Sequence, residues 1–178
     1  MDLIAAGKFL KLVRQGHWEY ATRPGGREVA VIVAVTADRR LLLVEQARIP
    51  LGCNVLELPA GLIGDHAAYA DEAASDAAQR ELEEETGYRA GRLTELMRCP
   101  TSAGLTDETA VFFRAEALMK VGPGGGDPSE QITVHAVPLA GIDRWLLDRQ
   151  SQGVALDPKI YTALYWLDHP PDASGPFS

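Results

Sequence analysis

Three glutamates within one short run have the spacing needed to hold a divalent cation. The run is Arg80-Glu81-Leu82-Glu83-Glu84-Glu85-Thr86-Gly87-Tyr88. A helix places residues three and four apart on one face, so Glu81, Glu84 and Glu85 are expected side by side. Like charges at this spacing repel one another, and a hard cation such as Mg²⁺, which prefers carboxylate oxygens, would relieve the repulsion. A solvated acidic helix face is the alternative, and the run alone leaves both interpretations open.

The elements that must position these glutamates are mostly strands. A helix is predicted over residues 72–86, with Asp71 as its cap and Gly87 as its left-handed end. Further helices are predicted over residues 140–150 and 157–168, and strands over 9–14, 17–23, 27–36, 40–46, 54–58, 92–99, 109–118 and 132–138. This mixture indicates an α/β or α+β fold.

Composition bounds the class of protein. The 178 residues suit one domain with a sizeable core, and 46% hydrophobic and 24% charged residues are ordinary for a globular chain. A net charge of −8 argues against a nucleic-acid partner, whose binding surface needs positive charge. Cys53 and Cys99 are too few for a disulfide framework. With neither a membrane-length apolar run nor a secretory signal, the expected location is the cytoplasm.

The glutamate run resembles the second half of the Nudix box, whose pattern is G-x5-E-x7-R-E-U-x-E-E-x-G-U, with U aliphatic or aromatic. Gly61 opens the box, seven residues separate Glu72 from Arg80, and every fixed position from Glu72 to Tyr88 matches. Ten residues rather than five lie between Gly61 and Glu72, and this insertion is expected to form a surface loop, where added length costs little entropy. The resemblance implies the Nudix α/β/α sandwich with a central mixed sheet.

The resemblance also implies hydrolysis of a nucleoside diphosphate linked to another group, with Mg²⁺ or Mn²⁺ as cofactor. Glu81 and Glu85 match the principal metal ligands of the family. Glu84 matches a further ligand or one that acts through water. The backbone carbonyl of Ala60, just before the box glycine, matches another ligand, and a hard ion accepts such an oxygen.

Two further residues complete the expected catalytic set with Glu84 and Glu85. Arg80 is expected to hold neighbouring carboxylates in a fixed geometry, because a guanidinium is a rigid fork of donors. Glu130 matches a glutamate that relatives carry on a late, flexible loop, which here covers residues 122–131. It is a candidate for catalysis or metal binding, with a solvated loop carboxylate as the alternative.

Other residues resemble the branch that hydrolyses ADP-ribose and nucleoside diphosphate sugars. In that branch the counterpart of Arg48 contacts substrate phosphate or base, and that of Glu57 holds the terminal ribose or a metal-bound water. Trp18 or Tyr20 is expected to stack on the base, since stacking needs a flat exposed ring. An aromatic on the core side of a strand is the alternative for each.

The loop over residues 101–108 widens the range of expected substrates. Ala103 stands where ADP-ribose-specific members carry proline, and Ala103, Gly104 and Glu108 are predicted to contact the sugar side. ADP-ribose is favoured, followed by GDP-mannose, ADP-glucose or another nucleotide sugar. A non-catalytic domain that senses ADP-ribose is the alternative of a different class, and the intact carboxylates weigh against it.

The expected organisation has three parts. Residues 1–24 form β-strands for dimerisation, residues 25–168 the Nudix hydrolase domain, and residues 169–178 a flexible tail. The N-terminal strands are expected to reach a partner subunit, so the resemblance implies a homodimer.

Overall fold

The computed structural model describes residues 1–25, 28–64, 69, 71–126 and 131–169. Three α-helices occur in this part of the chain, α1 (Ala74–Glu81), α2 (Ile142–Ser151) and α3 (Lys159–Asp168), and a π-helical turn (Leu82–Thr86) directly continues α1. The strands are β1 (Asp2–Ala6), β2 (Lys11–Gln15), β3 (Trp18–Thr22), β4 (Glu28–Ala34), β5 (Arg40–Arg48), β6 (Cys53–Glu57), β7 (Ala60–Leu62), β8 (Tyr88–Arg89), β9 (Arg92–Pro100), β10 (Thr109–Glu116), β11 (Met119–Lys120), β12 (Thr133–Pro138) and β13 (Ala155–Leu156).

Two mixed four-stranded sheets form the body of the protein. One has the order β7-β4-β10-β9 with β4 and β10 parallel, and the other has the order β12-β5-β6-β13 with β6 and β13 parallel. The expected α/β or α+β class is confirmed, although two mixed sheets stand where one central sheet was predicted. An isolated bridge between Val35 and Leu41 links the ends of β4 and β5.

Alternation along β4 explains the layers. Val31 and Val33 pack with residues of the second sheet, α2 and α3, whereas Ala30, Ile32 and Ala34 pack against α1. Successive side chains of a strand point to opposite faces, so a strand buried on both faces is apolar throughout. Helices therefore cover both sides of the sheet that carries β4, and α1 lies against it through small alanines.

The helix that carries the glutamates differs from its prediction at both ends. It begins at Ala74 with Ala73 as its cap, and no side chain caps it, so the prediction of Asp71 as cap and Glu72 as first residue is wrong. The side chain of Glu72 instead accepts from Gly64 N–H (3.2 Å) and pairs with Arg80. Gly87 ends the helix with φ 71°, as predicted, but the last turn is π-helical rather than α-helical.

The N-terminal strands form a separate antiparallel sheet in the order β1-β2-β3. Its connection to the body runs through β3 and the loop over residues 101–108. Ala21 N–H donates to the carbonyl of Leu105 (2.8 Å), and the hydroxyl of Thr22 donates to Asp107 (2.9 Å). These bonds fix the sheet against one edge of the body.

A buried polar cluster joins β5, β6, β12 and α2. The carboxylate of Glu45, only 7% exposed, accepts from Asn54 (3.0 Å), contacts Nε2 of His135 (3.0 Å) and accepts from the guanidinium of Arg149. Burial acts to raise the pKa of Glu45, but the hydrogen bonds from Asn54, Arg149 and His135 outweigh it, so the pKa lies below its ordinary value. The cluster holds charge inside the core through matched partners.

Part of the predicted insertion and most of the predicted tail lie outside the described residues, namely residues 65–68, 70 and 170–178. None of the helices in the described part of the chain has the length and apolar character needed to cross a bilayer.

Candidate active site

The carboxylate of Glu81 lies where a side chain at position 61 would begin, and this position is occupied by glycine. β7 pairs with β4 through Val31 and Ala60, and this pairing lays the backbone of residues 60–62 beneath α1. A Cβ added to Gly61 would lie 1.9 Å from Cδ and 2.1 Å from Oε1 of Glu81. Any larger residue would therefore displace this carboxylate, which accounts for the glycine that opens the box.

Glu85 reaches the same backbone from the π-helical turn. Its side chain is buried, with 4% of the residue exposed, and Oε2 accepts from Ala60 N–H at 3.0 Å. The carboxylates of Glu81 and Glu85 thus both approach the backbone of Ala60 and Gly61, Glu85 at the N–H of Ala60 and Glu81 at the side-chain position of Gly61. The prediction that these residues lie together is met by geometry, while their role as metal ligands stays a prediction.

Arg80 binds three of the acidic side chains around it. Its guanidinium pairs with Glu72 (2.9 Å), Glu81 (2.6 Å) and, more loosely, the half-exposed Glu84 (3.3 Å). Burial acts to lower the pKa of Arg80, but the hydrogen bond to Glu72 and the charge of Glu81 raise it above its ordinary value. Arg80 therefore keeps its proton and holds these carboxylates in place.

Glu72 is one of the residues that hold Arg80. Burial acts to raise its pKa, but the hydrogen bonds from Arg80 and from Gly64 N–H lower it overall. The ring of Tyr69 lies against the other side of Arg80, with the guanidinium carbon 4.8 Å from the ring centre. The arginine thus has a fixed orientation set by residues before the helix.

The loop after β11 closes the end of the glutamate helix. Gly125 N–H donates to the carbonyl of Glu85 (2.8 Å) and Gly126 N–H to that of Glu84 (3.0 Å). The ammonium group of Lys120 donates to the carbonyl of Thr86 (2.7 Å). The predicted catalytic residue of this loop, Glu130, lies outside the described residues.

The donors at this site suit a hard divalent cation. Carboxylate and carbonyl oxygens are the ligands that Mg²⁺ and Mn²⁺ prefer, and Gly61 leaves the space in which Glu81 sits. Within the described ranges, no three His, Cys, Asp or Glu side chains are already gathered around one point. Here Arg80 and Ala60 N–H hold the two carboxylates, so a cation would replace Arg80 as the main partner of Glu81.

Arg48 and Glu57 bind each other on neighbouring strands. Two hydrogen bonds, 2.8 and 3.1 Å long, join the guanidinium of Arg48 to the carboxylate of Glu57. Glu57 is the more buried of the two and lies three residues before Ala60. The pair therefore places a cationic side chain, partly open to solvent, beside the strand that leads into the box.

A groove of about 550 Å³ brings together four of the predicted substrate-binding residues, Trp18, Tyr20, Ala103 and Gly104. Its remaining lining residues are Gln15, Gly16, His17, Thr106 and Asp107. The ring of Trp18 is 55% exposed. The alternative in which Trp18 faces the core is therefore wrong.

Glu108 lies beside the groove and binds Arg23 at 3.1 Å, and it is not part of the lining. Sequence reasoning passed over His17, Asp107, Lys120 and Gly124. The turn Gln15-Gly16 and the glycine-rich run at residues 122–126 were the available signals, but each was interpreted only as a turn or a loop.

Known proteins resemble this chain in sequence and in fold. The family model described as the NUDIX domain matches residues 26–155. The chain is 38% identical over 102 residues to an ADP-ribose pyrophosphatase of Bacillus subtilis (strain 168), covering 56% of this chain and 50% of that protein. It is 38% identical over 105 residues to an ADP-sugar pyrophosphatase of Mus musculus, covering 49% of this chain and 46% of that protein. The chain thus spans about half the length of these curated relatives.

A third relative and a solved structure extend the match. An ADP-ribose pyrophosphatase of Mycobacterium tuberculosis (strain ATCC 25618 / H37Rv) is 33% identical over 135 residues, covering 70% of this chain and 63% of that protein. A crystal structure titled as an ADP compounds hydrolase has a TM-score of 0.72 and 23% identity, covering 94% of this chain and 89% of the other, and it shows a shared fold. Because the NUDIX model covers well over half of the sequence and the box residues meet around Gly61, this chain belongs to the Nudix family.

Proposed function

We propose that this protein hydrolyses the pyrophosphate bond of ADP-ribose or a related nucleoside diphosphate sugar, with Mg²⁺ or Mn²⁺ as cofactor. The products are a nucleoside monophosphate and a sugar phosphate. The observation that carries the proposal is the approach of the Glu81 and Glu85 carboxylates to the backbone of Ala60 and Gly61. The names of three relatives, two ADP-ribose pyrophosphatases and an ADP-sugar pyrophosphatase, support the substrate class.

Glu81, Glu85 and the carbonyl of Ala60 would hold the cation, with Glu84 as a further ligand. A bound divalent cation neutralises phosphate oxygens and lowers the pKa of a water molecule. The half-exposed side chain of Glu84 contacts Arg80 only at 3.3 Å, so it is the one best placed to turn toward solvent and substrate.

The reaction adds one water molecule across the pyrophosphate. The water oxygen bonds to one phosphorus as that phosphorus loses its bridging oxygen, which leaves with the other phosphate. Arg80 holds the carboxylates in place, and Arg48 offers a positive charge to the substrate phosphates. Glu130 is proposed to take the proton of the attacking water, on the grounds of the family resemblance.

The groove lined by Trp18 and Tyr20 is proposed as the base site. It has the volume for a purine and, in Trp18, an exposed ring on which a base could stack. Ala103 and Gly104 give one wall without large side chains. Because Ala103 and Gly104 were predicted on the sugar side, the base and sugar sites are proposed to adjoin at this wall, and its small side chains keep GDP-mannose and ADP-glucose beside ADP-ribose as substrates.

The N-terminal sheet is proposed to bind a second copy of the chain. It exposes the large apolar side chains Leu3 (61%) and Ile4 (42%), and Phe9 (67%) in the turn between β1 and β2 adds to them. Val13 and Thr22 are the only buried residues of its three strands within the described chain. Exposed apolar surface of this kind is typical of an interface. Light scattering should give twice the mass of 19.2 kDa, and a monomer at micromolar concentration would reject this part of the proposal.

The test of the activity is phosphate release, through a coupled phosphatase, from ADP-ribose, GDP-mannose, ADP-glucose and UDP-glucose, each with and without Mg²⁺. We expect Mg²⁺-dependent turnover of at least one of these, with ADP-ribose favoured. Binding of ADP-ribose without any turnover would support the sensing domain instead.

A further inference from the structure

The end of the glutamate helix receives its hydrogen bonds from a distant part of the chain. The last four carbonyls of a helix have no partner within the helix. Gly126 N–H and Gly125 N–H donate to the carbonyls of Glu84 and Glu85, and the ammonium of Lys120 donates to that of Thr86. Residues 120–126, here named the capping segment, therefore bind the backbone of Glu84, Glu85 and Thr86.

The contact is too close for any side chain at its centre. A Cβ at Gly124 would lie 2.5 Å from the carbonyl carbon of Thr86, 2.7 Å from the carbonyl oxygen of Glu85 and 2.8 Å from the nitrogen of Gly87. All three are backbone atoms, which cannot move without shifting the helix end. Gly124 also has φ +72°, so both the lack of space for a Cβ and the left-handed backbone favour glycine here.

Lys120 adds charge to this contact. Its ammonium lies 2.7 Å from the carbonyl of Thr86 and 4.6 Å from the centre of the Tyr88 ring. A cation at the C-terminal end of a helix interacts favourably with the helix dipole. β11, which carries Lys120, pairs with β8 directly after the helix, and this pairing fixes the direction of approach.

We propose that Lys120 and Gly124 are positioning residues, which set the height and rotation of the π-helical turn and thereby the metal-ligand geometry of Glu84 and Glu85. The inference rests on the proposed function. The carboxylate of Glu85 is held at Ala60 N–H from one side, while its own carbonyl is held by Gly125 from the other. Displacing the capping segment breaks the hydrogen bond from Gly125 to the carbonyl of Glu85. The helical turn can then shift and move the carboxylate of Glu85 away from Ala60 N–H.

The test compares Gly124→Ala with Gly153→Ala. Gly153 has φ +87° with nothing within 4 Å of an added Cβ, so alanine there brings the same left-handed strain without touching the helix. Gly153→Ala should melt about 2–8 °C below the wild type, and Gly124→Ala lower still because its Cβ also meets backbone atoms. Binding of Mn²⁺ to the substrate-free protein, measured by the loss of the free-ion signal in electron paramagnetic resonance, should weaken about tenfold or more in Gly124→Ala alone.

Lys120→Met and Lys120→Arg provide a second measurement, which decides the matter if Gly124→Ala does not fold. Methionine should weaken Mn²⁺ binding and lower kcat with little change in KM, and arginine should restore a large part of both. A folded Lys120→Met that binds Mn²⁺ within twofold of the wild type, together with the same result for Gly124→Ala where that variant folds, would overturn the inference while leaving the proposed function intact. A wild type that neither binds Mn²⁺ nor hydrolyses any nucleotide sugar would overturn both.

Discussion

Replacing Gly61 with alanine should impair the proposed metal site while the protein stays folded. Carbon atoms in contact prefer about 3.5–4.0 Å, whereas the new Cβ would lie 1.9 Å from Cδ of Glu81. The carboxylate must therefore retreat by roughly 1.6 Å, the difference between these distances. A misplacement of about 1 Å in a catalytic arrangement can cost about 100-fold, so kcat/KM should fall by at least that factor, or about 2.7 kcal/mol.

The same change should leave the protein folded. The atoms in the way belong to the end of a flexible side chain, and Arg80 keeps its ion pair with Glu72 when Glu81 moves. Loss of the mostly buried pair between Arg80 and Glu81 costs roughly 1.5–3 kcal/mol, and alanine regains about 0.4–1 kcal/mol by restricting the unfolded chain. The melting temperature should therefore fall by no more than about 10 °C.

The assay is Mg²⁺-dependent hydrolysis of the best substrate of the panel, with thermal unfolding measured on the same samples. Gly7→Ala is the matched control, because the nearest atom to its added Cβ is the carbonyl oxygen of Leu10 at an ordinary 3.5 Å. Hydrolysis by Gly61→Ala within threefold of the wild type at equal Mg²⁺ would refute the argument, since the carboxylate of Glu81 would then be dispensable where it lies.

Three further changes test other parts of the molecule. Glu85→Gln keeps an acceptor for Ala60 N–H but loses the charge, so kcat should drop by about 100-fold or more at an unchanged melting temperature; a near-normal rate would remove Glu85 from the ligands. Trp18→Ala should raise KM about tenfold with kcat nearly constant, and an unchanged KM would place the base elsewhere. Because the pKa of Glu45 is lowered in the folded protein, its ionised form stabilises the fold fully above the ordinary value of 4.5, and this stabilisation is lost as the pH falls below it. Glu45→Gln should therefore reduce the dependence of the unfolding free energy on pH in the acid range. An identical pH profile would count against the cluster.

Local signals in the sequence predicted the helix end and the main strands. Gly87 lies in the left-handed conformation that its place after the glutamates requires, and the valine-rich β4 is buried along nearly its whole length. The three-residue β7 has no such signal, since Ala60-Gly61-Leu62 becomes a strand only by pairing with β4. β1 was missed for a similar reason, because its exposed residues show no alternation and depend on the register with β2.

The sequence named candidate site residues, whose roles stay predictions, but it did not predict their contacts. Spacing placed Glu81 and Glu85 on one helix face, yet the π-helical turn between them breaks the regular period on which that argument depends. The bonds from Lys120 and Gly125 join parts of the chain more than 30 residues apart, and no local pattern encodes such a separation. Gly87 thus marks where the helix ends, while long-range packing supplies the partners of its last carbonyls.

The three tryptophans of the chain lie in three different surroundings, so their intrinsic fluorescence can report on three parts of the protein. Trp18 faces the open groove, Trp145 lies edge-on to His135 with ring centres 5.3 Å apart, and the indole N–H of Trp166 points to the sulfur of Met97 at 2.9 Å. Exchanging any two of them for phenylalanine leaves one optical reporter. Occupancy of the groove, the state of the Glu45 cluster and the integrity of the core can thus each be followed separately, on the time scale of a single mixing experiment and without an attached dye.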